Sequence, residues 1–398
     1  MSRAAGVSRF RWLMLAVFVL STAINYLDRQ TLSTLAPVLR AEFRLSNAQY
    51  GLILTAFSLT YALSAPFAGI LIDRIGLNRA IGLAVGLWSC AGIATGFTRG
   101  LPGLVGCRAL LGIGEAGGIP AAGKAIHQYL RPPERALGNA VNQAGVSLGM
   151  ILAPPLATYL AVRAGWRQAF VFTGLLGLLW IPMWNGTARL AATELPPKIA
   201  ALAGFQMLRD RRLWAFLAAN ALSMIGYSLW TNWTTLYLVD IHRLTLVAAA
   251  RLAWIPPLFA LAGGLAGGWL SLRFVERGTA PIPARFRVCL VAAILSLATA
   301  AVPLTPTAVG AAAAISLSMF AVSAFSVNMY TLPLDAFGGA RAAFAVSILV
   351  ASYGGLQAVI SPLMGKVIDL HGYAPVTTVA ALAPLAACGV LWGTRSVR

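Results

Sequence analysis

Apolar stretches of about 20 residues recur along the whole of this 398-residue chain, and a helix needs about that length to cross the hydrocarbon of a bilayer. A backbone in lipid must satisfy its own hydrogen bonds, which leaves only helices and closed barrels, and runs this long are helical. Twelve windows can be marked, over approximately 12–39, 47–72, 80–97, 101–128, 136–162, 165–184, 213–238, 250–272, 287–304, 308–335, 342–368 and 375–393. Composition agrees: 59% of the residues are hydrophobic and only 10% charged, where soluble domains carry about 25% charged residues. The expected fold class is an all-α integral membrane protein with twelve transmembrane helices in two six-helix pseudo-repeats. These are residues 1–185 and 213–398, joined by a linker over 186–212 that contains Lys198 and has room for an amphipathic surface helix. The first window is too long for a signal peptide and lacks a small-residue cleavage site.

The net charge of +19 invites a nucleic-acid reading. The sequence argues against one, because the basic residues do not gather on one soluble domain. They favour alternate loops on the side that holds both termini, which the positive-inside rule places in the cytoplasm. Cys90, Cys107, Cys289 and Cys388 all fall in apolar windows, as small core residues do, and form neither a disulfide framework nor a metal site. His127, His242 and His371 each fall near a helix end. Nothing resembles a nucleotide loop or a nucleophile with its base, so no catalytic residue and no cofactor is expected.

Polar groups inside the windows carry the functional reading. Asn25-Tyr26-Leu27-Asp28-Arg29-Gln30 interrupts the first window. Each charge at mid-bilayer costs roughly 2.5–3.5 kcal/mol on insertion scales, so such groups persist where they face a partner or a watery cavity. In the fourth window Arg108 and Glu115 are seven residues apart, two turns along one face and about 10 Å distant. Gly112, Gly114, Gly117 and Gly118 would thin that helix for close packing. This pair reads either as a structural ion pair or as a carboxylate that takes up a proton and thereby releases its arginine. Asn142 and Gln143 offer amides that suit hydroxyl groups, or that tie helices together. Trp233 and Tyr237 suit either an interfacial belt or a sugar platform.

Gly69 to Arg79 resembles the loop signature G-x-L-x-D-R-x-G-x-x-R of the major facilitator superfamily, with Gly69, Asp73, Arg74 and Gly76 in their places. The glycines would let helices approach closely, and the acid and base would pair with neighbouring helix ends. Asn25 to Thr31, Gln49-Tyr50-Gly51, Gly114 to Gly117, Pro133 to Ala136 and Gly165 to Phe170 together resemble the anion:cation symporters of that superfamily, most of all the hexuronate and aldonate transporters. The likeness is strong over residues 10–185 and weaker beyond.

The resemblance implies proton-coupled import of a small organic anion by a monomer in a bacterial-type inner membrane, with a monocarboxylate or other organic-anion carrier, or a drug or metabolite exporter of the same superfamily, as the alternative. Asp28, Arg108 and Glu115 would couple protons, and Arg29 and Tyr61 would meet the substrate. Asn142, Gln143, Tyr227, Asn232, Asn328 and Ser352 would hold its hydroxyls. The expected coupling ion is H⁺, with Na⁺ an alternative that carboxylates also bind. The second copy of the loop signature departs from the family: after Ser271 stands Leu272 where an acid belongs. The second half has no Asp or Glu deep in a window, and Asp335 falls near a loop.

Overall fold

The computed structural model describes residues 2–131, 134–190, 209–337 and 339–393, with side chains described except at 2–9, 136, 190, 334 and 339–347. Most of the expected linker, with Lys198, and Pro133 of the family motif lie outside these residues. The helices are α1 (Ser2–Phe43), α2 (Asn47–Ile75), α3 (Leu77–Thr95), α4 (Leu101–Glu115), α5 (Gly118–Tyr129), α6 (Arg135–Ala164), α7 (Trp166–Leu190), α8 (Arg211–Ser223), α9 (Ile225–Asp240), α10 (Leu246–Ala253), α11 (Ile255–Glu276), α12 (Pro281–Leu295), α13 (Ala298–Ala301), α14 (Ala308–Phe337), α15 (Gly339–His371) and α16 (Tyr373–Gly393). No strand occurs among the described residues.

Eleven helical stretches are long and apolar enough to cross a membrane, where the sequence predicts twelve. The difference is the fourth window. Its hydrogen-bonded helix is interrupted between α4 and α5, although Ala116 (φ −57°, ψ −25°) and Gly117 (φ −76°, ψ −12°) stay in the right-handed helical region. The chain therefore continues in the same sense, and α4 with α5 supplies the twelfth crossing. Large apolar side chains point outward, among them Leu63, Phe67, Leu179, Leu265 and Leu304. A surface of this kind suits a lipid solvent. Prolines lie inside α1, α2, α6, α7, α14, α15 and α16, as membrane helices tolerate.

The chain forms two compact units. One holds α1, α2 beyond its first turn, and α3 to α7; the other holds Leu45–Gly51 and α8 to α16. In the first, α1 packs on α6 and α7, and α3 on α4 and α7. A Cβ on Gly149 of α6 would strike the Ala23 carbonyl, so α6 lies flush on α1. The core is aromatic: Trp180 stacks on Trp184 at 5.3 Å and donates to the Val17 carbonyl at 2.6 Å. Gly76, at φ 84°, makes the tight turn from α2 into α3, a conformation that favours glycine. Gly69 is different from expectation, because a Cβ there would meet nothing within 4 Å.

In the second unit, α14 packs most extensively on α11 and α12. A Cβ on Gly267 of α11 would come within 2.7 Å of the Ala324 backbone in α14. Gly267→Val is therefore expected to lower stability by about 3 kcal/mol, a shift of roughly 5–10 °C in the unfolding temperature of the purified protein. An unchanged melting curve would contradict this packing. Trp230, Trp233 and Tyr237 are buried, and Tyr237 donates to the Val302 carbonyl at 3.0 Å while packing edge-on against Tyr373. They form an interior cluster, not an exposed interfacial belt. Cys289 and Cys388 are core residues as expected, whereas Cys90 is exposed.

Candidate functional site

Successive residues on an α-helix point about 100° apart, and this separates the neighbours Asp28 and Arg29. Arg29 turns toward α2 and α4. Its Nε and Nη2 both donate to Oε2 of Glu115, at 2.9 and 2.5 Å. The guanidinium carbon lies 4.7 Å from the ring centres of Tyr26 and Phe57 and 5.5 Å from that of Tyr61. Tyr26 comes from one turn back on α1. Phe57 and Tyr61, four residues apart on α2 with ring centres at 5.7 Å, present adjacent faces to the cation. Glu115 is fully buried, while the Arg29 side chain remains 24% exposed.

Asp28 turns the other way and is buried among α1, α3 and α7. A Cβ on Gly92 would lie 3.6 Å from both carboxylate oxygens, and Thr173 of α7 stands beside them. Arg108, also buried, acts electrostatically on both Asp28 and Glu115. The four charged groups thus share one unit and one electrostatic neighbourhood.

Beside the expected influence of Arg108, Glu115 has a direct partner that spacing did not point to: Arg29 closes on it. The long Arg29 side chain reaches Glu115 from α1, a partner that spacing along α4 does not supply. The glycines around Glu115 let α2 and α3 approach α4, unequally. At Gly112 a Cβ would strike Thr60 and the Phe57 carbonyl of α2, and at Gly114 it would come within 2.9 Å of the Trp88 nitrogen of α3. Gly117 makes only ordinary contacts and Gly118 none within 4 Å. Thr60 seals the α2–α4 contact by donating to the Ala109 carbonyl at 2.9 Å.

The other sequence candidates are placed as follows. Tyr61 frames Arg29. Asn142 accepts a 2.9 Å bond from Thr22, tying α6 to α1, and Gln143 is exposed. In the second unit, Tyr227 packs edge-on against Tyr353. Ser352 donates to the Leu349 carbonyl at 2.7 Å and accepts from Asn220 at 3.3 Å, a tie between α8 and α15. Asn328 is buried and donates to the carbonyls of Gly267 and Ala324, at 3.2 and 2.9 Å. Asn232 is buried, donates to the Ser228 carbonyl at 2.8 Å, and its own carbonyl accepts from Tyr50 at 3.0 Å. Buried amides tend to find partners, and here the NH2 groups of both residues donate to backbone carbonyls.

Of the loop signature, Asp73 pairs with Lys124 of α5 at 2.9 Å, and Arg74 is exposed. Sequence reasoning did not assign Tyr26 and Phe57 to the site. Their signal was their spacing, three residues before Arg29 and four before Tyr61.

Comparison with known proteins places this architecture. The chain is 27% identical to the hexuronate transporter of Escherichia coli (strain K12), over 97% of its length and 94% of that protein. It is 28% identical to the galacturonate transporter of Dickeya chrysanthemi, over 67% of its length and 83% of that protein. Its fold matches the inward-facing, occupied crystal structure of a bacterial homologue of the human lysosomal transporter Spinster, with a TM-score of 0.78, 23% identity, and coverage of 98% of this chain and 97% of that one. The family model for the Major Facilitator Superfamily matches residues 18–349. With that match across most of the chain and spanning helices throughout, this protein is a multi-pass membrane transporter, not an enzyme, and belongs to the Major Facilitator Superfamily.

Proposed function

We propose that this transporter carries a hexuronate or aldonate sugar acid into the cell together with protons, as a monomer in a bacterial inner membrane with both termini cytoplasmic. The observation that carries the reading is the state of Arg29: a cation framed by three aromatic rings, already holding Glu115, and still partly exposed. A guanidinium has five N–H donors, and Glu115 takes two of them through one oxygen. The remaining donors suit the carboxylate of an incoming anion, which a planar fork binds in a way an ammonium does not.

Two carboxylates on one guanidinium repel each other, and a proton on one of them relieves the conflict. Glu115 is the one cut off from water, so arrival of the anion and protonation of Glu115 favour each other. That is the linkage symport requires. Asp28, buried on the far side of α1 with Arg108 acting on both acids, is the second proton site. The named activities of the relatives supply the substrate class: a sugar acid has the single carboxylate that Arg29 would hold, and hydroxyls that Tyr61 and Gln143 would meet.

The test is a thermal-stabilisation panel of uronates, aldonates, lactate and inorganic phosphate on purified protein. A ligand at 100 times its Kd stabilises by about 2.7 kcal/mol, so the cognate class should stand out by several degrees. A shift confined to lactate or phosphate would overturn the sugar-acid assignment.

A further inference from the structure

The loop signature after α2 keeps its acid. Asp73 pairs with Lys124, whose ammonium also donates to the Ile72 carbonyl at 3.0 Å, so one side chain on α5 holds the end of α2. In the second half the acid's position is Leu272, a half-exposed side chain that can make no such bond. The structure supplies the charge from elsewhere. Arg285, at the start of α12, donates through Nη1 to the buried hydroxyl of Ser271 on α11 at 2.6 Å and through Nε to Oδ2 of Asp335 on α14 at 3.2 Å. One guanidinium therefore bridges three helices. Arg285 and Asp335 are 21% and 22% exposed, sheltered enough to be screened less than a surface pair.

We propose that Arg285 and Asp335 stand in for the missing loop acid, and that Arg285 is a positioning residue which holds the end of α14 in step with α11 and α12 through the transport cycle. The need for it is local. Along its middle, α14 is fixed to α11 by the Gly263 and Gly267 contacts and by Asn328. Beyond Asn328 it runs two more turns to Asp335 and contains Pro333, which removes a helix hydrogen bond and weakens that end. The Arg285 contact falls two residues past the proline. The two halves thus make the same kind of tie with opposite polarity: acid on α2 and base on α5 in one, base on α12 and acid on α14 in the other. Rocking of a half as one body depends on its helix ends moving together, so loosening this tie slows turnover and leaves substrate affinity alone.

A double-mutant cycle tests the proposal. In thermal unfolding of the purified protein, Arg285→Gln and Asp335→Asn are each expected to lower the midpoint by about 2–4 °C, and the double variant by no more than either. Ser271→Asp places a carboxylate at the same guanidinium, so it should restore the midpoint of Asp335→Asn and fail to restore that of Arg285→Gln. In vesicles, both single variants should lose Vmax for galacturonate several-fold at unchanged KM, with Ser271→Asp recovering Vmax in Asp335→Asn. Losses that add in the double variant, no recovery by Ser271→Asp, or normal Vmax in both single variants would overturn it. The unfolding measurements need no substrate; failure of the sugar-acid reading, on which only the uptake arm rests, would show instead as no galacturonate uptake by the unmodified protein.

Discussion

Glu115→Gln should bind a sugar acid normally and lose about tenfold of its pH-driven accumulation. In membrane vesicles with an acidic exterior, each proton coupled to a one-unit pH gradient sustains about a tenfold accumulation, because one unit is worth 1.36 kcal/mol. The glutamine keeps an oxygen that accepts from Arg29 and keeps the side-chain volume, but it takes up no proton and presents no charge to compete with the anion. Exchange of labelled for unlabelled substrate should therefore continue, while the inside-to-outside ratio falls about tenfold, the share of the one proton that Glu115 would carry. The buried state of Glu115 and its two hydrogen bonds from Arg29 make this the largest effect in the molecule that leaves the fold in place. Undiminished pH-driven accumulation in Glu115→Gln would remove this residue from the coupling scheme. Asp28→Asn serves as the comparison, since its site against Gly92 and Thr173 does not touch Arg29.

The second large effect falls on binding. Arg29→Ala removes the cation that the proposed carboxylate would meet, and hydrogen bonds to a charged partner are each worth about 1.5–3 kcal/mol. Galacturonate affinity, measured by calorimetry, should fall on the order of 100-fold. Arg29→Lys should recover only part of this, because an ammonium offers neither the fork nor the flat face that lies over Tyr26 and Phe57. Stability gives an independent check. Arg29→Ala leaves Glu115 buried without its partner, a loss of about 3–5 kcal/mol, whereas replacing both members of such a pair is often nearly neutral. Arg29→Ala combined with Glu115→Gln should therefore melt higher than Arg29→Ala alone. Wild-type affinity in Arg29→Ala would exclude it as the anion's anchor.

These expectations depend on contacts that the sequence could only partly supply. Asp28 and Arg29 are neighbours in the chain, and sequence reasoning treats them as one feature. On a helix their side chains diverge, so one meets α3 and α7 and the other α2 and α4. Arg108 and Glu115 lie on one face of α4, and spacing alone makes them look like a pair. The partner that closes on Glu115 comes from α1, 86 positions away. Asn232 and Asn328 have the chemistry of substrate ligands, and the structure adds that their NH2 groups donate to backbone carbonyls of neighbouring turns and helices. The acid missing after Ser271 is visible in the sequence, but its replacement by Asp335 through Arg285 is not, because those residues are 50 positions apart.

By itself, the sequence determined that the chain lies in a membrane as helices, that it carries the loop signature of its superfamily, and that buried charge is confined to a few windows. Each of these follows from composition and local periodicity, which lipid enforces residue by residue. Only the tertiary structure decided which charges meet. The side chain of a helical residue has one direction set by the turn it occupies, and its partner is whichever neighbouring helix crosses at that height. Helix crossings depend on small residues such as Gly112, Gly149 and Gly267 packing against surfaces far away in the chain, and no local pattern encodes that.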